Sequence, residues 1–288
     1  MTLPGLNSRH HRSSPGAVCI LLLATLAFGA RADAVIALII DDLGDSRIKG
    51  ERAIDLPGPV TLAVLPHTRW GTDLARRAYE RQREVMLHLP MANLGNVPLG
   101  PEPLTPRLSR HEFRSRLANA LKRVPGARGI NNHMGSALTQ EPREMTWLMQ
   151  ELRVRGLYFI DSRTTHKTVA KRIAHEQAVL ASSRDVFLDN VRDTAAIDVQ
   201  FRKLVRIARD RGTALGIGHP YPETLAYLEQ RLPALADEGV QLVPASHLAA
   251  MQTIRRNALA RAGAVNAVLA PRFQQRPRPQ RPQLQEGS

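Results

Sequence analysis

The stretch Val35–Asp45, VIALIIDDLGD, decides how the rest of the chain is read. Six apolar residues, Val35 to Ile40, run without the polar alternation of a half-exposed strand. That pattern predicts a strand buried on both faces, as in a parallel sheet or barrel. Asp41 and Asp42 stand where such a strand should end. In barrels and open α/β sheets the chemistry collects at the C-terminal ends of strands, so paired carboxylates there suit metal binding and proton transfer. Asp also caps helices and starts turns, so the pair needs partners before it carries a function.

Upstream, Arg9-His10-His11-Arg12 precedes an apolar run from Ala17 to Ala27 that is too short to span a bilayer. Small-x-small sites follow at Ala30-Arg31-Ala32 and Ala32-Asp33-Ala34. This is the pattern of a cleaved export signal, so residues 1–34 are expected to be a secretory leader and the mature protein periplasmic. The one cysteine, Cys19, lies near the start of the apolar run, the wrong end for a lipid-modified residue. Cleavage leaves a chain without cysteine, which excludes disulfides and thiolate metal ligands. Any metal must be held by His, Asp or Glu.

Downstream, the residues from Thr253 carry seven Arg against one Glu, and residues 1–34 three Arg against one Asp. Of the formal +14, residues 35–252 therefore keep +6, a moderate excess for a folded domain. A region of this length with no internal linker reads as one domain. Residues 253–288 read as a basic Pro/Gln/Arg-rich disordered tail, with at most a weak helix over Ala258 to Ala270. Its arginines can touch anionic surfaces. The tail lacks the interleaved aromatics that stack on bases, so a nucleic-acid partner is not expected.

Between the termini, strands are expected at Val60–Leu65, Glu84–Leu89, Gly129–Asn132, Leu157–Ile160, Phe187–Asp189 and Thr213–Ile217, with a last helix and strand over Thr224 to Pro244. Helices are expected at Leu74–Gln82, from the capping box at Ser109 to about Val124, at Arg143–Arg155 and at Ile197–Arg211. This alternation is the signature of an α/β barrel or doubly wound sheet. Five strand ends deliver Asp41/Asp42, His88, His133, Asp161 and His219 to one predicted edge. Two His and one Asp with open positions can hold Zn²⁺ or a similar divalent ion. A remaining carboxylate and histidine can then act as base and acid, the components of metal-assisted hydrolysis.

The ordered motifs IIDDLG, LHLPM, NNHMGS, FIDSRT and GIGHP closely resemble the divergent polysaccharide deacetylase family, YibQ-like relatives of the NodB-homology carbohydrate esterases. The resemblance covers roughly Val35 to Ala250. It implies a distorted (β/α) barrel of about seven strands that removes acetyl groups from an envelope polysaccharide or related N-acetylated glycan. It also implies Asp41 as catalytic base, Asp42 and His88 as metal ligands, His219 as general acid, and Asp161 as the carboxylate that orients His219. The superfamily's second motif histidine is absent, since Ala92 stands in its place, and His133 is expected to supply the missing ligand from the next strand. Asn132 and Ser136 are the expected sugar contacts. The alternative function is a non-catalytic periplasmic protein that binds glycan or a cell-wall protein partner in the same cleft.

Overall fold

The computed structural model describes residues 34–269. The expected leader up to Asp33 and the Pro/Gln/Arg-rich stretch from Ala270 lie outside the described residues. The strands are β1 (Ala34–Leu43), β2 (Thr61–Val64), β3 (Val85–Met91), β4 (Ala127–Met134), β5 (Tyr158–Asp161), β6 (Ala181–Ser183), β7 (Val186–Phe187), β8 (Thr213–Gly218) and β9 (Val240–Leu242). The helices are α1 (Arg47–Ile54), α2 (Gly71–Glu80), α3 (Arg110–Arg123), α4 (Pro142–Arg155), α5 (Ala170–Glu176), α6 (Thr194–Arg211), α7 (Pro222–Arg231) and α8 (Ala245–Leu269). Each expected strand and helix is present to within a few residues. The sequence reading missed α5 and β6, since β6 is only three residues long and two of them are serines.

Every strand pair is parallel, and the sheet runs β6-β5-β4-β3-β2-β1-β8-β7, with β9 added against β1. β1 lies at the centre. It pairs with β8 along Val35–Ile40, while its other edge takes β9 at Ala34–Ile36 and β2 from Ile39 onward. Among the described residues β6 and β7 do not pair with each other, so the curled sheet is a distorted barrel with an open seam.

Both faces of the sheet are buried, which is why its strands read as unbroken apolar runs. Ile36, Leu38 and Ile40 face the larger cluster formed with the helices. Val35, Ala37 and Ile39 face a second cluster with Ala63, Met86, Tyr158, Ile160, Leu215 and Ile217. Each such Ile or Leu contributes about 1.5–3 kcal/mol through its removal from water. The second cluster is completed by Ala245, Leu248 and Ala249, the first turns of α8. The boundary expected at Thr253 falls within this helix. The helix continues through Thr253 to Leu269, and Arg255 Nη1 donates to the Arg211 carbonyl at 2.7 Å. No helix among the described residues is long and apolar enough to cross a membrane.

Local signals act as the sequence implies. Ser109 and Glu112 form the reciprocal capping box that starts α3. At the N-terminal rim Glu84 Oε1 accepts from Thr61 Oγ1 at 2.8 Å, the Tyr158 hydroxyl at 2.9 Å and the Ser246 amide at 3.1 Å. Gly129 makes room for the Tyr158 ring, since a Cβ there would lie 2.5 Å from it. One carboxylate thus ties β2, β3, β5 and α8 together. Glu84→Leu leaves these buried or half-buried donors without an acceptor, at roughly 1–3 kcal/mol for each group that water cannot reach. Chemical denaturation should show a loss of about 2–4 kcal/mol for this variant, beyond what a surface Glu→Leu costs.

Candidate active site

In a regular strand adjacent side chains point to opposite faces, so Asp41 and Asp42 could not both serve one site. β1 solves this with a bulge. Ile40 is level with Leu62 and Leu43 with Val64, so three steps on β1 oppose two on β2. Asp42 absorbs the extra residue at φ +56°, a left-handed conformation that Asp tolerates better than most side chains. Both carboxylates then reach His88 Nε2, Asp42 Oδ1 at 3.1 Å and Asp41 Oδ2 at 3.7 Å.

His88, on β3, is level with Asn131 on β4, and His133 lies two residues beyond on the same face. Three atoms converge there. Asp42 Oδ1 is 3.1 Å from His88 Nε2 and 3.0 Å from His133 Nδ1, and the two nitrogens are 3.1 Å apart. A divalent ion bound by nitrogen and oxygen at about 2.0–2.2 Å needs ligand edges of roughly 2.9–3.4 Å. Asp42 Oδ1 is buried, yet it has no hydrogen bond of acceptable geometry.

Asn131 explains why the triangle is poised for a cation. Its Nδ2 donates to Asp41 Oδ1 at 2.7 Å, so its Oδ1 accepts from His88 Nδ1 at 2.8 Å. With one proton held on Nδ1, Nε2 is the nitrogen that faces Asp42 and that a cation would take in exchange for a proton. The charges register this crowding. Burial opposes protonation of His88, but Asp41 and Asp42 push its imidazole up to about 9. Burial would raise Asp42, but His133 and His88 hold it well below the usual carboxylate range. Asp41, 2% exposed, is raised by burial against the pull of His88 and His219. The donor set therefore fits a divalent ion with open positions on the solvent side, where Asp42 and His133 are partly exposed.

His219, just past β8, lies beyond Asp42 from this triangle, its Nε2 3.9 Å from Asp42 Oδ2. Its Nδ1 donates to Asp189 Oδ1 at 2.9 Å, and its backbone amide donates to Asp189 Oδ2 at 2.6 Å. Thr224 Oγ1 donates to the same Asp189 oxygen at 2.8 Å. Burial works against a charged imidazole here, but the Asp189 hydrogen bond outweighs it and raises His219. The ring also packs between Phe187, centroid 6.1 Å away and stacked, and Tyr221 at 5.4 Å. The pair is an acid whose orientation is fixed at one nitrogen and free at the other.

Two sequence expectations need correction. Asp161 does not orient His219; Asp189 does. Tyr158 and Ile160 face the inner cluster while Phe159 faces the helices, so alternation turns Asp161 outward, where it accepts from the Arg163 amide and Thr168 Oγ1. Phe187 packs against the inner cluster, and Asp189, two residues on, lies on the side of the site. Asn132 is not a sugar contact, because its amide is spent on the Met134 carbonyl and the Ser162 amide. Ser136 Oγ accepts from the Leu94 amide at 3.0 Å and so holds the loop after β3. The residues the sequence missed were Asp189, at the end of a weak strand, and Asn131, one position from Asn132 and level with His88.

Asp42 and Asp45 form a ridge between two recesses. One, of about 180 Å³, is lined by His219, Pro220, Tyr221, Ser46 and Lys49. The other, of about 400 Å³, extends from His133 past Leu65 and Pro66 to the loop at Pro98–Pro101. A larger recess of about 810 Å³ lies at the opposite rim around Arg83 and Glu84, away from these groups.

Comparison with known sequences finds a match over residues 38–249 to a family described as divergent polysaccharide deacetylase. YibQ of Escherichia coli (strain K12), described as an uncharacterized protein, is 38% identical over 213 residues, 74% of this chain and 66% of YibQ. The chain thus spans just under two thirds of that relative. An uncharacterized protein of Haemophilus influenzae is 36% identical over 218 residues, 75% of this chain and 77% of its own. Among solved structures, the uncharacterized protein ATU2773 of Agrobacterium tumefaciens C58 superposes with a TM-score of 0.73 at 26% identity, covering 76% of this chain and 90% of that one.

If Asn131 sets the His88 tautomer, its removal should weaken metal binding without removing a ligand. Asn131→Ala is expected to lower zinc affinity about 10–100-fold, as measured by competition with a chromophoric chelator. Asn132→Ala, by contrast, should leave the affinity within about threefold and lower the melting temperature instead.

Proposed function

The chain belongs to the divergent polysaccharide deacetylase family, and from that premise we propose that it is a metal-dependent hydrolase that removes acetyl groups from an N-acetylated glycan of the cell envelope. The observation that carries the proposal is an intact acid and an intact base on two sides of a three-ligand cluster.

Asp42, His88 and His133 would hold the ion, and this nitrogen- and oxygen-donor set suits zinc. When bound, the ion supplies Lewis acidity toward the carbonyl oxygen and makes water easier to deprotonate. Asp41 takes the proton of the attacking water at Oδ2, because Oδ1 is committed to Asn131. Its raised pKa makes it a stronger base than a free carboxylate. The water oxygen bonds to the carbonyl carbon, the C–N bond breaks, and His219 Nε2 delivers a proton to the departing nitrogen. Asp189 keeps the Nδ1 proton in place and steadies the cationic ring. The products are acetate and the free amino sugar. The envelope location rests on the export pattern of residues 1–34.

Asp41→Asn and His219→Ala should each lower deacetylation of a chitin oligosaccharide about 10²–10⁴-fold while zinc content, by elemental analysis, changes little for His219→Ala. Wild-type protein that binds the oligosaccharide with zinc in place yet releases no acetate would sink the hydrolase and favour a glycan-binding role.

A further inference from the structure

We propose that the recess between His133 and the Pro98–Pro101 loop is a subsite for an uncharged sugar residue next to the one that reacts, and that His67 and Glu102 read one of its hydroxyl groups. The inference rests on the hydrolase reading above for the reacting ring, and adds the ring beside it. The departing nitrogen must face His219 Nε2, so its sugar lies over the smaller recess with Tyr221 and Lys49. A glycan that continues across the ridge of Asp42 and Asp45 then enters the larger recess, which both of these residues also line. At about 400 Å³ that recess is of the size that holds a small ligand.

An unused donor in the wall carries the argument. His67 lines this recess with its side chain mostly buried, and its Nε2 is shut off from water without a hydrogen bond. The carboxylate beside it, Glu102 Oε2, is 3.8 Å away, too far to accept from it. A buried polar atom left unpaired is costly, and such atoms in a folded protein call for a partner. A hydroxyl donates and accepts at once, so one placed between the pair accepts from Nε2–H and donates to the carboxylate. Glu102 has room to step back and admit it, because its side chain is half exposed. Its backbone sits at φ +52°, a strained left-handed conformation of the kind that collects at ligand clamps. The loop that forms the far wall is built in advance. Asn93 brackets Val97 through both side-chain atoms, at 2.9 and 3.0 Å, and the Ala92 amide donates to the Leu104 carbonyl at 2.9 Å.

The charges select an uncharged ring. Asp45 and Arg69 line the same recess, and among the described residues neither forms an ion pair. Arg69 lies instead over the Trp70 ring, its Cζ 5.0 Å from the centroid. An anionic substituent here would meet Asp42, Asp45 and Glu102, and a cationic one would meet Arg69. A neutral polyol uses both kinds, since its hydroxyl groups donate to carboxylates and accept from a guanidinium. Leu65, Pro66 and Leu99 give the C–H face of the ring an apolar wall.

The test uses the zinc-supplemented protein with N-acetylglucosamine, diacetylchitobiose and the disaccharide of N-acetylglucosamine with N-acetylmuramic acid, which adds a carboxylate at the same linkage. Amine release reads turnover, and calorimetry reads binding. The expected kcat/KM for diacetylchitobiose is about tenfold or more above that of the monosaccharide and of the acidic disaccharide. His67→Phe, which keeps a ring but offers no donor, should lower the ratio of disaccharide to monosaccharide about tenfold, and His67→Gln, whose amide can still donate, should restore most of it. Turnover without a preference for diacetylchitobiose, or with one that His67→Phe leaves untouched, overturns the subsite and leaves the hydrolase standing. A preference for the acidic disaccharide likewise overturns the uncharged subsite. Diacetylchitobiose binding that His67→Phe weakens and His67→Gln restores, without turnover of any member, supports the subsite and overturns the hydrolase. Neither turnover nor binding overturns both.

Discussion

One extra residue in β1 is the constraint on which the site depends. Strand geometry sends neighbouring side chains to opposite faces, and β1 is buried on both. Without the bulge between Ile40 and Leu43, one of the two carboxylates would point into the helix layer, where an unpaired charge is expensive. The left-handed Asp42 backbone carries strain of about 1–2 kcal/mol. It is held there by β2 on one side of the bulge and by the histidines on the other. Strain of this kind at a strand end, repeated at Met134 and Arg163, marks the rim where the chain gives up regularity to aim its side chains.

From that point the site assembles by strand register. β3 and β4 are aligned so that His88 faces Asn131 and Pro90 faces His133. Pro90 lies past the end of β2, so the donor it lacks is not missed by that neighbour. β8 lies on the other side of β1 and brings His219 to the opposite flank of Asp42. Asn131 then couples the two functions, since the same amide that orients a metal ligand also fixes the base. The base and the ligand are therefore not independent: a change in the ring position of His88 is felt at Asp41.

The apolar runs, the helix caps and the histidines at strand ends were all legible in the sequence because each is a local signal. Asp41, Asp42, His88, His133 and His219 do meet at one rim. Orientation was the weak point. In a half-exposed strand, the polar residues reveal which positions face out, but a strand buried on both sides carries no such mark. Asp161 and Asn132 therefore looked as well placed as Asp189 and Asn131, and only the position relative to the inner cluster separates them. Counting two residues back from His133 would have selected Asn131. Asp189 was visible only as the polar end of a weak strand, and β6 not at all, since three residues with two serines give no hydrophobic pattern.

The seam between β6 and β7 has a consequence for how the molecule can vary. In a closed barrel every strand fixes the spacing of every other through the complete ring of ladders. Here the distance from acid to ligands follows the contiguous path β8-β1-β2-β3-β4, and the first turns of α8 close the interior from below, tied to that path through Glu84 at the N-terminal rim. The β6 edge carries none of these groups, whereas β7 on the other side of the seam leads to Asp189 and so holds His219, and the five inner strands set the register of the rest.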